Sequence, residues 1–205
     1  MSAGARRALV LWAALLISAW SGYRAWLARP VEQAPGVLVA EEPIQQSVVE
    51  AAAPRFRVGD YDIVALASYR LRARLLGRQR YRAHREAELS PLDFAVGWGP
   101  MSDTAVLSQM RLSQSSRFFT LSWRSPPSLP QDVIFDHAAN MHLIPADATV
   151  ARALDRMRPG ELVELDGYLV RASAPDGWSW SSSLTRTDRG AGACELMWVE
   201  HAREN

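Results

Sequence analysis

Cys194 is the sole cysteine of the chain, and it follows a run of small residues, Gly190-Ala191-Gly192-Ala193. A loop of that composition lets a substrate backbone approach a thiolate closely. A nucleophilic thiol also needs a histidine to lower its pKa and a third group to orient that histidine. His142 and Asn140 are the right types for a thiol-dependent hydrolase or transferase, with His142 as base and Asn140 orienting it. Their spacing does not place them beside Cys194. The plain alternative for this cysteine is a small buried hydrophobe at the start of a strand. His137 and His142, flanked by Asp136 and Asp147, fit no zinc spacing. No metal and no cofactor is expected.

A second group of residues suits binding. Arg70, Arg72, Arg74, Arg78, Arg80, Arg82 and Arg85 crowd one stretch, with only Glu86 and Glu88 nearby. With Tyr69 and Tyr81 interleaved, they can hold phosphates and stack bases, or meet anionic lipid headgroups. Alternate arginines are equally the solvated face of an amphipathic strand. Trp178 and Trp180 point to one side of a strand and can form a platform for a sugar or a partner protein. The alternative is that both rings are core. Ser181-Ser182-Ser183 lacks a nucleophile-elbow context and reads as strand and turn.

Composition limits the function classes. The chain has 205 residues, 23 basic and 22 acidic, for a net charge of +1. That balance makes no general case for nucleic acid. Every basic residue is Arg, so each cation has the planar fork suited to carboxylates and phosphates. One cysteine allows no internal disulfide.

The elements that must position these residues follow a short N-terminal tail, residues 1–8. Arg6 and Arg7 precede an uncharged run from Ala8 to Tyr23. Basic residues before an apolar run suggest an uncleaved membrane anchor at 9–27, with a cleavable signal peptide as the alternative. Trp20, Tyr23 and Trp26 share one helix face, as an interfacial aromatic belt does. The anchor implies a single-pass protein of a bacterial inner membrane with its C-terminal domain in the periplasm. Pro30, Pro35, Pro43 and Pro54 punctuate a spacer at 28–54, and one β-rich globular domain fills 55–205.

Within that domain, Tyr69, Leu71, Ala73 and Leu75 alternate with Arg70, Arg72 and Arg74, the period of a half-buried strand. Ser90-Pro91-Leu92-Asp93 reads as a helix start stopped by Gly97-Trp98-Gly99-Pro100, and Ser102-Asp103 as a cap for a second short helix. Residues 117–123 and 133–135 read as strands, and 137–140 as a turn. Asp147 caps a helix whose buried face is Val150, Leu154 and Met157. Val163, Leu165 and Leu169 mark another strand. Asp176-Gly177 reads as a hairpin turn, and residues 178–186 and 194–201 as the last two strands. The expected fold is therefore α+β and mostly β. It is a small barrel, possibly of the oligonucleotide/oligosaccharide-binding (OB) type, or a twisted antiparallel sheet, with two or three short helices after one transmembrane helix.

Gly97-Trp98-Gly99-Pro100-Met101-Ser102-Asp103, Asn140-Met141-His142-Leu143-Ile144-Pro145 and Gly192-Ala193-Cys194-Glu195 resemble segments of a group of uncharacterised proteobacterial proteins with one N-terminal anchor. The resemblance covers most of residues 60–200. It implies an envelope protein and supplies no catalytic residue. The preferred expectation is a non-enzymatic module that binds an envelope protein or an anionic surface. The thiol-dependent enzyme is the alternative, and an OB-like binder of nucleic acid or glycan is a second.

Overall fold

The computed structural model describes residues 3–27, 29–190 and 192–204. Residues 1 and 2 of the expected tail, residue 28 at the head of the spacer and residue 191 of the small-residue loop lie outside them. Helix α1 (Ala3–Leu27) starts inside the expected tail. It corrects the membrane reading, because among the described residues no helix is long and apolar enough to cross a membrane. The length of α1 suffices and its composition does not. The uncharged run counts 16 residues, where a span needs about 20 apolar ones. Ser18, Trp20, Ser21, Gly22 and Tyr23 dilute its second half before Arg24 ends it. The anchor at 9–27, the single-pass topology and the inner-membrane address with a periplasmic domain are all withdrawn on that finding.

After α1 the chain forms β1 (Ile44–Ser47) and β2 (Arg55–Val58), both of which pair antiparallel with β3 (Tyr61–Arg80). Next come α2 (Glu86–Leu89) and β4 (Leu92–Gly97), where the Ser90-Pro91 signal suggested a helix. The strand prevails because all six residues of β4 are buried, which an exposed short helix could not achieve. A 3-10 turn and α3 (Thr104–Leu107) lead to a hairpin of β5 (Arg111–Ser115) and β6 (Phe118–Ser122). Residues 133–135, expected as a strand, lie in α4 (Gln131–Asp136) and bury Ile134. The expected turn at 137–140 is instead the start of β7 (Ala138–Pro145). Then follow α5 (Ala148–Arg156), β8 (Leu162–Ser173), β9 (Ser179–Ser181) and β10 (Glu195–Glu204).

Five of these strands close a ring. β3 pairs with β4, β4 with β7, β7 with β10, β10 with β8, and β8 returns to β3. Only the β7–β10 pair is parallel. In chain order the barrel strands run 1-2-3-5-4 around the ring, with α5 between the third and fourth. That is the order of the five-stranded Greek-key barrel of the OB type, and the order alone carries no function. Tyr69, Leu71, Phe94, Leu143, Leu165 and Val199 fill the interior, and Val150 and Leu154 of α5 plug one end with Met157. Asp147 caps α5 by accepting from the backbone of Thr149 and Val150, which holds its carboxyl below the usual range.

β3 needs two irregularities to serve both sides of the ring. Its pairing with β8 slips between Ala65 and Ala67, and its pairing with β4 slips between Leu75 and Gly77. A bulge changes which face successive side chains take. Before the second slip the odd-numbered residues Leu71, Ala73 and Leu75 face inward. After it Arg78 and Arg80 stand opposite the inward-facing Phe94 and Leu92.

Residues 29–54, whose prolines suggest a spacer, run along the barrel. Val39 is fully buried, and the backbone of Leu38 and Val39 donates to Ser102 Oγ. Val31 N donates to the Pro159 carbonyl at 2.6 Å. Just beyond, Gly160 has φ +93°, and a Cβ there would stand 2.0 Å from the Val31 carbonyl oxygen. The crossing therefore requires glycine on two counts. We expect Gly160→Ala to destabilise the chain by about 2 kcal/mol or more, read from urea unfolding. We also expect faster hydrogen exchange at Val31 and Gln33 than in the barrel strands. Unchanged exchange there would show that the crossing does not depend on the missing Cβ.

Candidate functional site

The structure brings two of the three thiol-site residues together. Register places Glu195 beside Met141 on the parallel pair, so Cys194 enters next to Asn140. Asn140 Nδ2 lies 3.8 Å from Cys194 Sγ and donates to the Arg117 carbonyl at 2.9 Å. The thiol itself reaches that carbonyl at 3.8 Å. His142 shares the face, and its ring contacts are elsewhere. Its Nδ1 is 3.0 Å from Asp93 Oδ1, off the line of a hydrogen bond, and its ring packs on Trp180 at 4.8 Å. Burial pushes the Cys194 thiol up to about 11, Asn140 opposes the rise, and Glu195, Asp93 and Asp188 add to it. A raised pKa is the opposite of what a nucleophilic cysteine needs.

Asp93 is fully buried and is met by Arg117 from the β5–β6 turn. Arg117 Nη1 donates to Asp93 Oδ1 at 2.7 Å and to the Ser90 carbonyl at 2.9 Å. Its guanidinium lies over Tyr81 at 4.0 Å and Trp180 at 5.7 Å. Ser116 and Arg117 both hold positive φ, 51° and 68°, the conformation a two-residue hairpin turn demands and Asn-Gly would adopt more easily. This tight cluster fastens the hairpin to the outer face of β4 and β7. Neither Asp93 nor Arg117 stood out in the sequence, because they are 24 residues apart in elements with no shared period.

The expected arginine stripe divides. Arg70 pairs with Asp166, and Arg72 with Glu164 at 3.7 Å, across the β3–β8 register. Arg74 is buried and donates to the Ser102 carbonyl and Thr104 Oγ1; burial lowers its pKa. Arg85 takes Asp176 in a two-pronged pair at 2.6 and 3.0 Å. The tryptophan platform is half-covered as well. Trp178 packs on Tyr61 at 5.4 Å and lies under Arg85, while Trp180 covers His142.

The surplus charge gathers where the second bulge of β3 meets α5. Arg78 Nη1 donates at 2.9 Å to the carbonyls of Asp155 and Met157, satisfying the C-terminal end of that helix. Arg78 and Arg80 also share the Asp155 carboxylate. Arg82 follows in the chain, and Arg152 and Arg156 stand one turn apart on α5. Together they border a cleft of 780 Å³, with Trp20 and Tyr23 of α1 on its opposite wall. Five guanidiniums thus face one carboxylate. Arg82, Arg152 and Arg156 are exposed, and among the described residues no ion pair involves them. The four-residue spacing of Arg152 and Arg156 on a helix was the available signal for this cleft. Its α1 wall showed in the sequence as the Trp20, Tyr23 and Trp26 face, read there as an interfacial belt.

A third polar cluster closes the barrel's other end. Glu195 is buried, and burial pushes its carboxyl up to about 7, with Asp188 adding and Arg186 opposing. The same burial, with Glu195 nearby, raises Tyr69. Among the described residues no group of three or more His, Cys, Asp or Glu is placed to hold a metal ion. Comparisons with family models, curated proteins and solved structures give no match, so the functional reading rests on the site.

Two measurements check this account. Alkylation of Cys194 at pH 8 is expected to run on the order of a hundredfold slower in the folded chain than after unfolding. Labelling at the unfolded rate would restore the thiol as a nucleophile. Glu195 holds its proton to about pH 7 when folded, whereas an unfolded glutamate loses it near 4.3. The folded state therefore binds the extra proton between those values, and stability falls as pH rises through that window. Glu195→Gln removes this term. Its stability relative to the parent chain should rise from pH 5 to pH 7.5 in urea unfolding, and a flat difference would place the carboxyl in water.

Proposed function

We propose that this chain is a binding module without catalysis of its own, and that its partner is anionic. The observation that carries this reading is the cleft whose described lining brings five arginines together with one carboxylate, that of Asp155. Of the arginines first marked for that role, Arg70, Arg72 and Arg74 are engaged within the fold, and Arg78 stands at this cleft, holding the end of α5. The unbalanced ones are Arg82, Arg152 and Arg156. A disarmed thiol and a histidine committed to Asp93 and Trp180 weigh against the thiol-dependent hydrolase or transferase.

Exposed cations attract through a screened field, so binding must weaken with salt. Elution of the chain from a heparin column tests the reading. Arg152→Glu/Arg156→Glu should elute at clearly lower salt than the parent chain, with each reversal weakening binding on the order of fivefold. Arg70→Glu serves as the control, since its charge is already paired with Asp166. Equal losses from the control and the cleft variant would move the anion off this cleft. Retention indifferent to salt would remove the electrostatic reading altogether.

A further inference from the structure

We propose that the cleft is a phosphate site: Arg82, Arg152 and Arg156 grip the phosphate, and Trp20 and Tyr23 pack the organic group that carries it. This rests on the anionic-partner reading and adds the ligand's chemistry.

The geometry favours phosphate over carboxylate. Arg152 and Arg156 are one helical turn apart, which sets their Cβ atoms about 5–6 Å from each other on one face of α5. Arg82 approaches from the segment after β3. Three planar forks reaching one volume from two elements match a tetrahedral group with three acceptor oxygens and a charge near −2. A carboxylate has two oxygens and one charge, and a single fork satisfies it.

The surroundings are prepared for such a group. The C-terminal end of a helix repels anions through its free carbonyls. Here Arg78 covers the carbonyls of Asp155 and Met157, and Arg78 and Arg80 cover the Asp155 side chain. The parity change at Leu75–Gly77 is what turns these two arginines toward α5. They shield the negative end of the helix, and the three outer arginines remain for a ligand.

The opposite wall is also fixed. Trp26 lies under the Arg158 guanidinium at 4.1 Å, and Tyr23 stacks on Trp26 at 6.2 Å. Arg158 is itself held by Glu161. Trp20 and Tyr23 remain 58 % and 49 % exposed at the cleft. Aromatic rings exposed to this degree beside exposed guanidiniums suit a ligand with an apolar or ring portion next to its phosphate.

Both a soluble ester and a lipid headgroup present this phosphate chemistry, and the test separates the two sources. The full chain is titrated by calorimetry with pyrophosphate, with phenyl phosphate and with succinate. It is also sedimented with vesicles of phosphatidylcholine, with and without phosphatidylglycerol. We expect pyrophosphate to bind at least tenfold tighter than succinate. Arg82→Gln/Arg152→Gln/Arg156→Gln should lose at least tenfold, while Arg72→Gln keeps the parent affinity. Trp20→Ala/Tyr23→Ala should weaken phenyl phosphate several-fold and leave pyrophosphate unchanged. Tight phenyl phosphate without vesicle binding identifies a soluble ester. Sedimentation only with phosphatidylglycerol, displaced by pyrophosphate, identifies a headgroup. Succinate binding as tightly as pyrophosphate overturns the phosphate assignment and leaves the anionic reading standing. No binding of any anion overturns both. All the substituted arginines are exposed, and a melting temperature matching the parent confirms each variant is folded.

Discussion

β3 is the strand on which the barrel is built, and the constraint on it is geometric. One continuous strand must pair with β4, β1 and β2 along one edge and with β8 along the other. A straight strand with a strict period of two cannot meet those partners and still keep its apolar residues inside a closed ring. The two register slips resolve the conflict. The second slip also decides the electrostatics of the molecule. Arg70 and Arg72, before it, point outward and find Asp166 and Glu164 on β8, Arg74 is buried against Ser102 and Thr104, and Arg78 and Arg80, after it, turn toward α5. One extra residue thus separates cations that are structural from cations that border a cleft.

α5 links the hydrophobic and electrostatic halves of the design. Val150 and Leu154 close the barrel interior, and the opposite face of the same two turns presents Arg152 and Arg156. The helix is therefore held by apolar burial, which is indifferent to salt, while its outer cations respond to it. The α1 wall is held differently, by Trp26 under Arg158 and by the chain crossing at Gly160.

Much of the barrel was legible in the sequence where one face is apolar and the other wet. The alternation from Tyr69 to Leu75 and the capped helix after Asp147 both read directly, because their periods reflect their burial. Elements buried on both faces were not legible. β4 carries no alternation, and Ser90-Pro91 supplied a stronger local signal for a helix than six buried residues supplied for a strand. Asn140 beside Cys194 follows from a parallel pairing between strands 54 residues apart, and no local pattern encodes such a register. The bulge was equally silent, so Arg78 read as one stripe with Arg70, Arg72 and Arg74 although it belongs to another site. For the N-terminal segment, charge pattern suggested an anchor, and the summed apolarity of the helix fell short of one.

Arg117 reaches Asp93 from a hairpin whose Leu112 and Leu121 also pack beside Met101 and Ile134. A buried carboxylate left without its cation is far more costly than an exposed pair broken in water. The hairpin therefore cannot peel away in small steps, because the first step strands a charge in the interior. Evolutionary change meets the same obstacle. Neither Arg117 nor Asp93 can be replaced alone without leaving the other buried and unmatched. In any descendant of this sequence the two positions, so far apart in the chain, would mutate as one letter.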